Sequence, residues 1–173
     1  VKALKGVHLD LRSGEVHALV GENGAGKSTL MKILTGSYQA DQGEIIYMGE
    51  KIEVSNPRKA QDIGINIVHQ EINLMPDLTV AENIFVGYEP RVKGFPFVFD
   101  FRKMNQQATE VLQEIGLHIS PTTITGELSV AQRQMVAIAR MLALNSKIVI
   151  LDEPTAALAA AEVDTLFNII AKL

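Results

Sequence analysis

The chain has 173 residues, 47% of them hydrophobic, with a formal net charge of -4 and a pI near 5.6. That length fits one compact domain, or one domain with a sub-lobe, and the acidic balance argues against a nucleic-acid binder, whose surface should be basic. The absence of cysteine excludes disulfides and cysteine-based metal or nucleophile chemistry.

The most continuous apolar stretch, Met135 to Leu144, is broken by Arg140 and is far shorter than the roughly 18–20 residues of a membrane span. The first residues, Val1 to Leu4, lack the basic-then-apolar pattern of a signal peptide. The chain therefore reads as soluble and cytosolic. Val1 is not an initiator methionine, and an apolar helical stripe (Val163, Leu166, Phe167, Ile170) runs to the end without a breaker. The chain reads as a piece of a longer protein.

Val16 to Val20 is an apolar run ending in glycine, the pattern of a buried strand. A helix is expected over Lys27 to Ser37, with Leu30, Ile33 and Leu34 inward. Glu44 to Tyr47 and Lys51 to Val54 flank Met48-Gly49-Glu50, which predicts a β-hairpin. Ile63 to Val68 is the next expected strand. Thr79-Val80-Ala81-Glu82 is a capping box opening a short helix. Glu89 to Phe99 holds two prolines, a glycine and three phenylalanines, and is expected to be a loop packing its own aromatics; Phe95, Phe97, Phe99 and Phe101 are read as local core, with a docking patch for a membrane protein as the alternative.

Phe101 to Ile115 predicts a helix with Met104, Ala108, Val111 and Ile115 on one stripe and Gly116 as its cap. Ser129 opens another, with Met135, Ile138, Ala139 and Leu142 inward. Ile148 to Leu151 is four branched residues before Asp152, expected as a central parallel strand buried on both faces.

Gly21-Glu22-Asn23-Gly24-Ala25-Gly26-Lys27-Ser28 fits G-x-x-x-x-G-K-[ST] between an expected strand and an expected helix. Glycines let the backbone wrap so that its N–H groups meet phosphate oxygens, and the helix N-terminus favours anions. Lys27 would reach the β- and γ-phosphates, and Ser28, followed by Thr29, would set its hydroxyl on Mg²⁺. At the end of the apolar strand, Asp152 can hold Mg²⁺ and Glu153 can polarise an attacking water. The four histidines show no metal-ligand spacing.

On these motifs the chain resembles the nucleotide-binding domain of an ABC transporter. Leu128-Ser129-Val130-Ala131-Gln132 stands where that family carries its LSGGQ signature, Gln70 matches the glutamine of its Q-loop, and Asp152-Glu153-Pro154-Thr155 matches its D-E-P-T/S run. The pattern is similar in particular to the N-terminal ATPase half of bacterial ribose-, xylose- and galactose-type importers.

The resemblance implies an α/β fold: a P-loop NTPase core with a parallel central sheet, an antiparallel β-subdomain and an inserted α-helical subdomain. It assigns 1–70 and 145–173 to the ATP-binding core and 71–144 to the helical subdomain. It implies ATP and Mg²⁺ as ligands. Gly21 to Thr29 would bind nucleotide, Ser28, Gln70 and Asp152 would serve the metal, and Glu153, Lys27 and Gln70 would act in hydrolysis. Ser129 would reach the γ-phosphate bound by a second nucleotide-binding domain, expected in the same polypeptide. A transmembrane permease would be the other partner, at the cytoplasmic face of the bacterial inner membrane, with no nucleic acid involved.

The function implied is an ATPase powering import of a small solute, a monosaccharide first. The alternatives are a regulatory or dimerisation module that hydrolyses little, and a non-transport ABC ATPase. Three residues depart from the family pattern: Val130 and Ala131 replace the signature glycines, and Ala159 replaces the D-loop aspartate. The family's switch histidine and adenine-stacking aromatic are expected beyond Leu173 and before Val1.

Overall fold

The computed structural model describes residues 3–68, 74–155, 158 and 160–172. In chain order it contains α1 (Lys27–Leu34), β1 (Ile45–Tyr47), β2 (Glu50–Ile52), α2 (Pro57–Ile63), β3 (Ile65–Val68) and α3 (Val80–Phe85). These are followed by β4 (Arg91–Val92), β5 (Phe95–Phe99), α4 (Phe101–Glu114), a 3-10 turn (Thr125–Glu127), α5 (Val130–Ala143), β6 (Ile148–Leu151) and α6 (Ala160–Ile170).

β3 and β6 pair in parallel, Ile65 opposite Ile148 through Val68 opposite Leu151. This is the expected parallel strand, but β3 is its only partner among the described residues, and of its four residues only Ile150 is buried. Both faces are covered as expected, though incompletely: Ile148 and Ile150 pack into one hydrophobic core, and Val149 and Leu151 pack against another. A strand paired along one edge has less cover than one inside a wide sheet.

The Val16 to Val20 run likewise forms no ladder, and Val16 and Val20 are 74% and 89% exposed. An apolar run states what a segment is able to bury, while a strand also needs a neighbour to take its backbone N–H and C=O groups.

β1 and β2 form the expected hairpin, with Tyr47 opposite Glu50. The turn is only Met48-Gly49, both at positive φ (51° and 84°), as a two-residue hairpin loop of matching twist requires. Glu50 is therefore a strand residue.

α2 was not anticipated, although its signals are local. Asn56 Oδ1 accepts from the Lys59 N–H at 2.9 Å, Pro57 occupies the first turn, and Gly64 ends the helix in the left-handed region. α2, β3 and β6 share a small core of Val54, Ala60, Ile65 and Ile150, against which Met31 and Leu34 of α1 pack.

The larger core joins α3, α4, α5 and α6, with Ile84, Met104, Leu112, Ile138 and Leu166 fully buried. On α4 the expected stripe of Met104, Ala108, Val111 and Ile115 faces the core, Val111 only partly buried, and Leu112 joins it as a fully buried member. Gly116 closes the helix: its N–H donates to the Gln113 carbonyl, and the Leu117 N–H donates to the Leu112 carbonyl at 2.8 Å. On α6 the expected stripe holds at Leu166, which is buried, and at Ile170, which packs against the core, whereas Phe167 is 60% exposed and Ile169 is buried in its place.

Residues 89–99, expected as a self-packed loop, form instead the β4–β5 hairpin, and all five residues of β5 are exposed. The phenylalanines are not local core. Pairing the backbone of β5 with β4 satisfies its main-chain groups and leaves the aromatic rings outside.

The Thr79 capping box forms as expected. The Glu82 N–H donates to Thr79 Oγ1 at 3.2 Å, and the Thr79 N–H donates to the Glu82 carboxylate at 2.8 Å. The Thr79 hydroxyl and backbone N–H hold the Glu82 carboxyl below its usual 4.5. A depressed carboxyl pKa stabilises the fold above the unfolded value and loses that contribution as the pH falls through the folded one. T79A should cost about 1 kcal/mol at neutral pH. The penalty should shrink in acid below 4.5, and thermal melts at the two pH values measure it. An equal penalty at both would separate the box from the titration of Glu82.

Candidate functional site

The loop from Gly21 to Ser28 leads directly into α1. Gly24 and Gly26 stand at φ 85° and 93°, where a side-chain-bearing residue would be strained. At Gly26 space is also a constraint, because a Cβ there would sit 3.0 Å from the Ala3 carbonyl oxygen. The loop folds on itself through the Ala25 N–H, which donates to the Glu22 carbonyl at 3.2 Å.

Among the described residues the amides of Gly24, Gly26, Lys27 and Ser28 make no intramolecular hydrogen bond. Successive free N–H groups at the N-terminal end of an eight-residue helix form an anion cradle. Lys27 Nζ donates to the Gly21 carbonyl at 2.6 Å and to the Glu22 carbonyl at 3.0 Å. Two of its three donors thus brace the start of the loop, and the third remains for a ligand. The arrangement fits a bound polyphosphate.

β6 ends at Leu151. The Asp152 N–H donates to the Val68 carbonyl at 3.1 Å, extending the β3–β6 ladder by one bond. Asp152 is half-buried and Glu153 is exposed. Glu153 adopts φ 48°, one of three positive-φ residues other than glycine among those described. A left-handed carboxylate directly after a strand is the kind of strain that gathers at functional sites.

α1 and β6 meet in one core through Met31, Leu34 and Ile150, which joins the two halves of the expected site to the same scaffold. The Ser28 hydroxyl and the Asp152 carboxylate form no bond with another described residue. A hydroxyl and a carboxylate would suit, if they share one cation, an ion that keeps waters and substrate phosphates as its other ligands, as Mg²⁺ does. The described residues hold no cluster of three or more acids or histidines that could cage a metal alone. Gln70 and His69 lie outside the described residues, as does Ala159.

Ser129 caps α5. Its hydroxyl oxygen accepts from the Gln132 N–H at 3.1 Å, and the Gln132 side chain accepts from the Ser129 N–H at 3.0 Å. The cap occupies an acceptor lone pair of Ser129 and leaves the hydroxyl proton free to donate. Structural capping and anion binding are therefore compatible at this residue. Neighbouring Val130 is half exposed at 49%.

The sequence reading missed what positions Ser129. Asn83, 1% exposed, donates to Thr125 Oγ1 at 2.8 Å and to the Met75 carbonyl at 2.9 Å, and its own carbonyl accepts from the Met75 N–H at 2.8 Å. Residues 121–126 run beside 76–81, with the Val80 and Ala81 N–H groups donating to the Thr123 and Pro121 carbonyls. Gly126 permits this approach, since a Cβ would sit 3.0 Å from the Pro76 carbonyl oxygen.

Two arginines tie the far end of α3 to its surroundings. Arg140 on α5 donates to the carbonyls of Asn83 and Val86 at 3.1 and 3.3 Å, and burial lowers its pKa. Arg58 on α2 lies over the Tyr88 ring at 3.9 Å and donates to the Gly87 carbonyl at 2.7 Å. Burial, and the hydrogen bond to Asp62, raise the Tyr88 pKa. α2 is thereby linked to the turn after α3.

Comparison with known proteins gives this geometry a context. The family model described as ABC transporter matches residues 4–156. A putative ribose/galactose/methyl galactoside import ATP-binding protein 1 of Burkholderia ambifaria is 54% identical over 173 residues, covering 100% of this chain and 33% of that protein. The corresponding protein of Albidiferax ferrireducens is 54% identical over the same span, 34% of its length. The chain thus spans about a third of the length of the curated relatives it matches.

Among solved structures, the ADP conformation of an ATP-binding cassette of an ABC transporter superposes with a TM-score of 0.80 at 28% identity, over 98% of this chain and 70% of that one. A dimeric structure of a bacterial ABC transporter cassette gives 0.81 at 29% identity, over 99% and 74%. The expected α/β P-loop NTPase fold, with parallel and antiparallel strands, is the fold of these cassettes.

Proposed function

We propose, from the premise that the chain belongs to the ABC transporter family, that it is one half of a composite ATPase powering import of a small sugar. The observation that carries the reading is the anion cradle at Gly21 to Ser28, with its free amides and the Lys27 ammonium held against the Gly21 carbonyl at 2.6 Å. Relatives named as ribose/galactose/methyl galactoside import ATP-binding proteins support the cargo class.

In this reading 1–70 and 145–173 form the ATP-binding core and 71–144 the helical subdomain. ATP lies on Gly21 to Thr29. Lys27 and the loop amides hold the β- and γ-phosphates, and Ser28 and Asp152, with Gln70, hold Mg²⁺, which neutralises charge on the phosphates. Glu153 orients and deprotonates the attacking water. The Ser129 hydroxyl and the amides at the start of α5 meet the γ-phosphate of a second nucleotide-binding domain in the same polypeptide. Gln70 passes the state of the site to a transmembrane permease, which keeps the assembly at the cytoplasmic face of the inner membrane. No described helix is long and apolar enough to cross a membrane.

Ala131 favours one other reading. Its methyl stands where a glycine would let phosphate approach the backbone closely, which suits a module that binds ATP and dimerises but leaves hydrolysis to another site. Titration of Mg·ATP into the chain, followed by phosphate release with and without the second domain and permease, decides between them. Binding by the chain alone and release only in the assembly is the expected result. Failure to bind Mg·ATP would refute both readings, and tight binding without release in any assembly would leave the regulatory module.

A further inference from the structure

The β4–β5 hairpin has no part in the nucleotide site, yet it carries the most exposed aromatic surface in the described chain. Phe97 is 93% exposed and Phe95 64%, and Val98 between the aromatics is half exposed. Along a strand, alternate residues point to opposite faces. Phe95, Phe97 and Phe99 therefore occupy one face while Pro96 and Val98 occupy the other, and both faces are open. Two open apolar faces flanked by cations suit an interfacial surface.

The charges around the hairpin add a direction. Residues 89–103 contain four cations (Arg91, Lys93, Arg102, Lys103) and two acids, in a chain whose total is -4. Both acids are engaged locally: Glu89 accepts from the Gly87 N–H and Asp100 from the Lys103 N–H, each at 2.9 Å. Lys93, Arg102 and Lys103 make no ion pair with described residues.

The base of the hairpin is braced. Arg91 lies over the Phe99 ring and donates to the Pro96 carbonyl, and Phe99 meets Phe101 edge-to-face at 6.3 Å. The tip, Lys93-Gly94 followed by Phe95, stands free.

We infer that this hairpin is a membrane-surface contact: Phe95, Phe97 and Val98 insert shallowly among the headgroups of an anionic bilayer while Lys93, Arg102 and Lys103 meet lipid phosphates. Aromatic side chains beside cations are the composition of an interfacial anchor, and each cation near an anionic surface adds to binding. The inference goes beyond the proposed ATPase role, which needs contact with the permease alone.

Flotation of the chain with phosphatidylcholine vesicles, with and without phosphatidylglycerol, tests it. Binding is expected to the anionic vesicles and to weaken with salt. The F95S/F97S pair should lower partitioning by about tenfold or more, and K93Q/K103Q by about tenfold. Both variants should retain the thermal melt and ATP affinity of the parent, since none of these residues touches the nucleotide loop. Equal binding to both vesicle types, or undiminished binding by F95S/F97S, would overturn the inference. So would an absence of vesicle binding together with permease binding or self-association that F95S/F97S abolishes, which would make the hairpin a protein interface.

Discussion

Replacing Lys27 with alanine is expected to weaken Mg·ATP binding by the chain about ten- to a hundredfold. The ammonium makes charge-assisted hydrogen bonds, and the loss of one such bond to a ligand is worth about 1.5–3 kcal/mol. A second effect runs in the same direction. Lys27 braces the carbonyls of Gly21 and Glu22, so its removal also frees the loop and adds an ordering cost to binding. K27R separates the two contributions, because it keeps the charge but carries a planar fork where a point charge fits. Titration with a fluorescent ATP analogue should rank the parent above K27R and K27R above K27A. The melting temperature without nucleotide should change little, since the side chain lies at the rim of the fold. An unchanged affinity in K27A would mean that the phosphates lie elsewhere.

The local features of the candidate site could be read from the sequence because each acts over a few positions. The phosphate loop, the Thr79 and Ser129 caps and the Gly116 stop are set by φ preferences and by hydrogen bonds between near neighbours. The cap at Asn56-Pro57 is equally local. The remaining differences are non-local. Val16 to Val20 and Phe95 to Phe99 are both apolar runs, yet the first forms no ladder and the second pairs with two residues of β4. Side-chain pattern does not say which segment will supply the partner backbone.

The same distinction applies to the candidate site. The residues proposed for the chemistry come from short motifs, whereas the Asn83–Thr125 link close before Ser129 joins positions separated by 42 residues. No periodicity connects them. Ser129 also illustrates why a structural and a functional reading need not compete. An N-cap holds the hydroxyl in place with one lone pair, and the fixed hydroxyl is then the better anion donor because less freedom is lost on binding.

Glu153 carries the second large prediction. In the assembly that hydrolyses ATP, E153Q should leave Mg·ATP binding close to that of the parent and slow phosphate release by about a hundred- to ten-thousandfold, the usual weight of a positioned general base. Glutamine keeps the size of the side chain and removes the proton acceptor. The backbone offers an independent control. Glu153 stands at φ 48°, a region where residues other than glycine are strained by about 1–3 kcal/mol. E153G should therefore remove the base and the strain together, giving a protein at least as stable as the parent and equally slow in turnover. The two variants then agree in activity and diverge in stability, which a purely structural role for Glu153 would not produce. If E153Q turned over at the parent's rate, the water would have to be activated by another group, and the left-handed turn after β6 would be a feature of the fold alone.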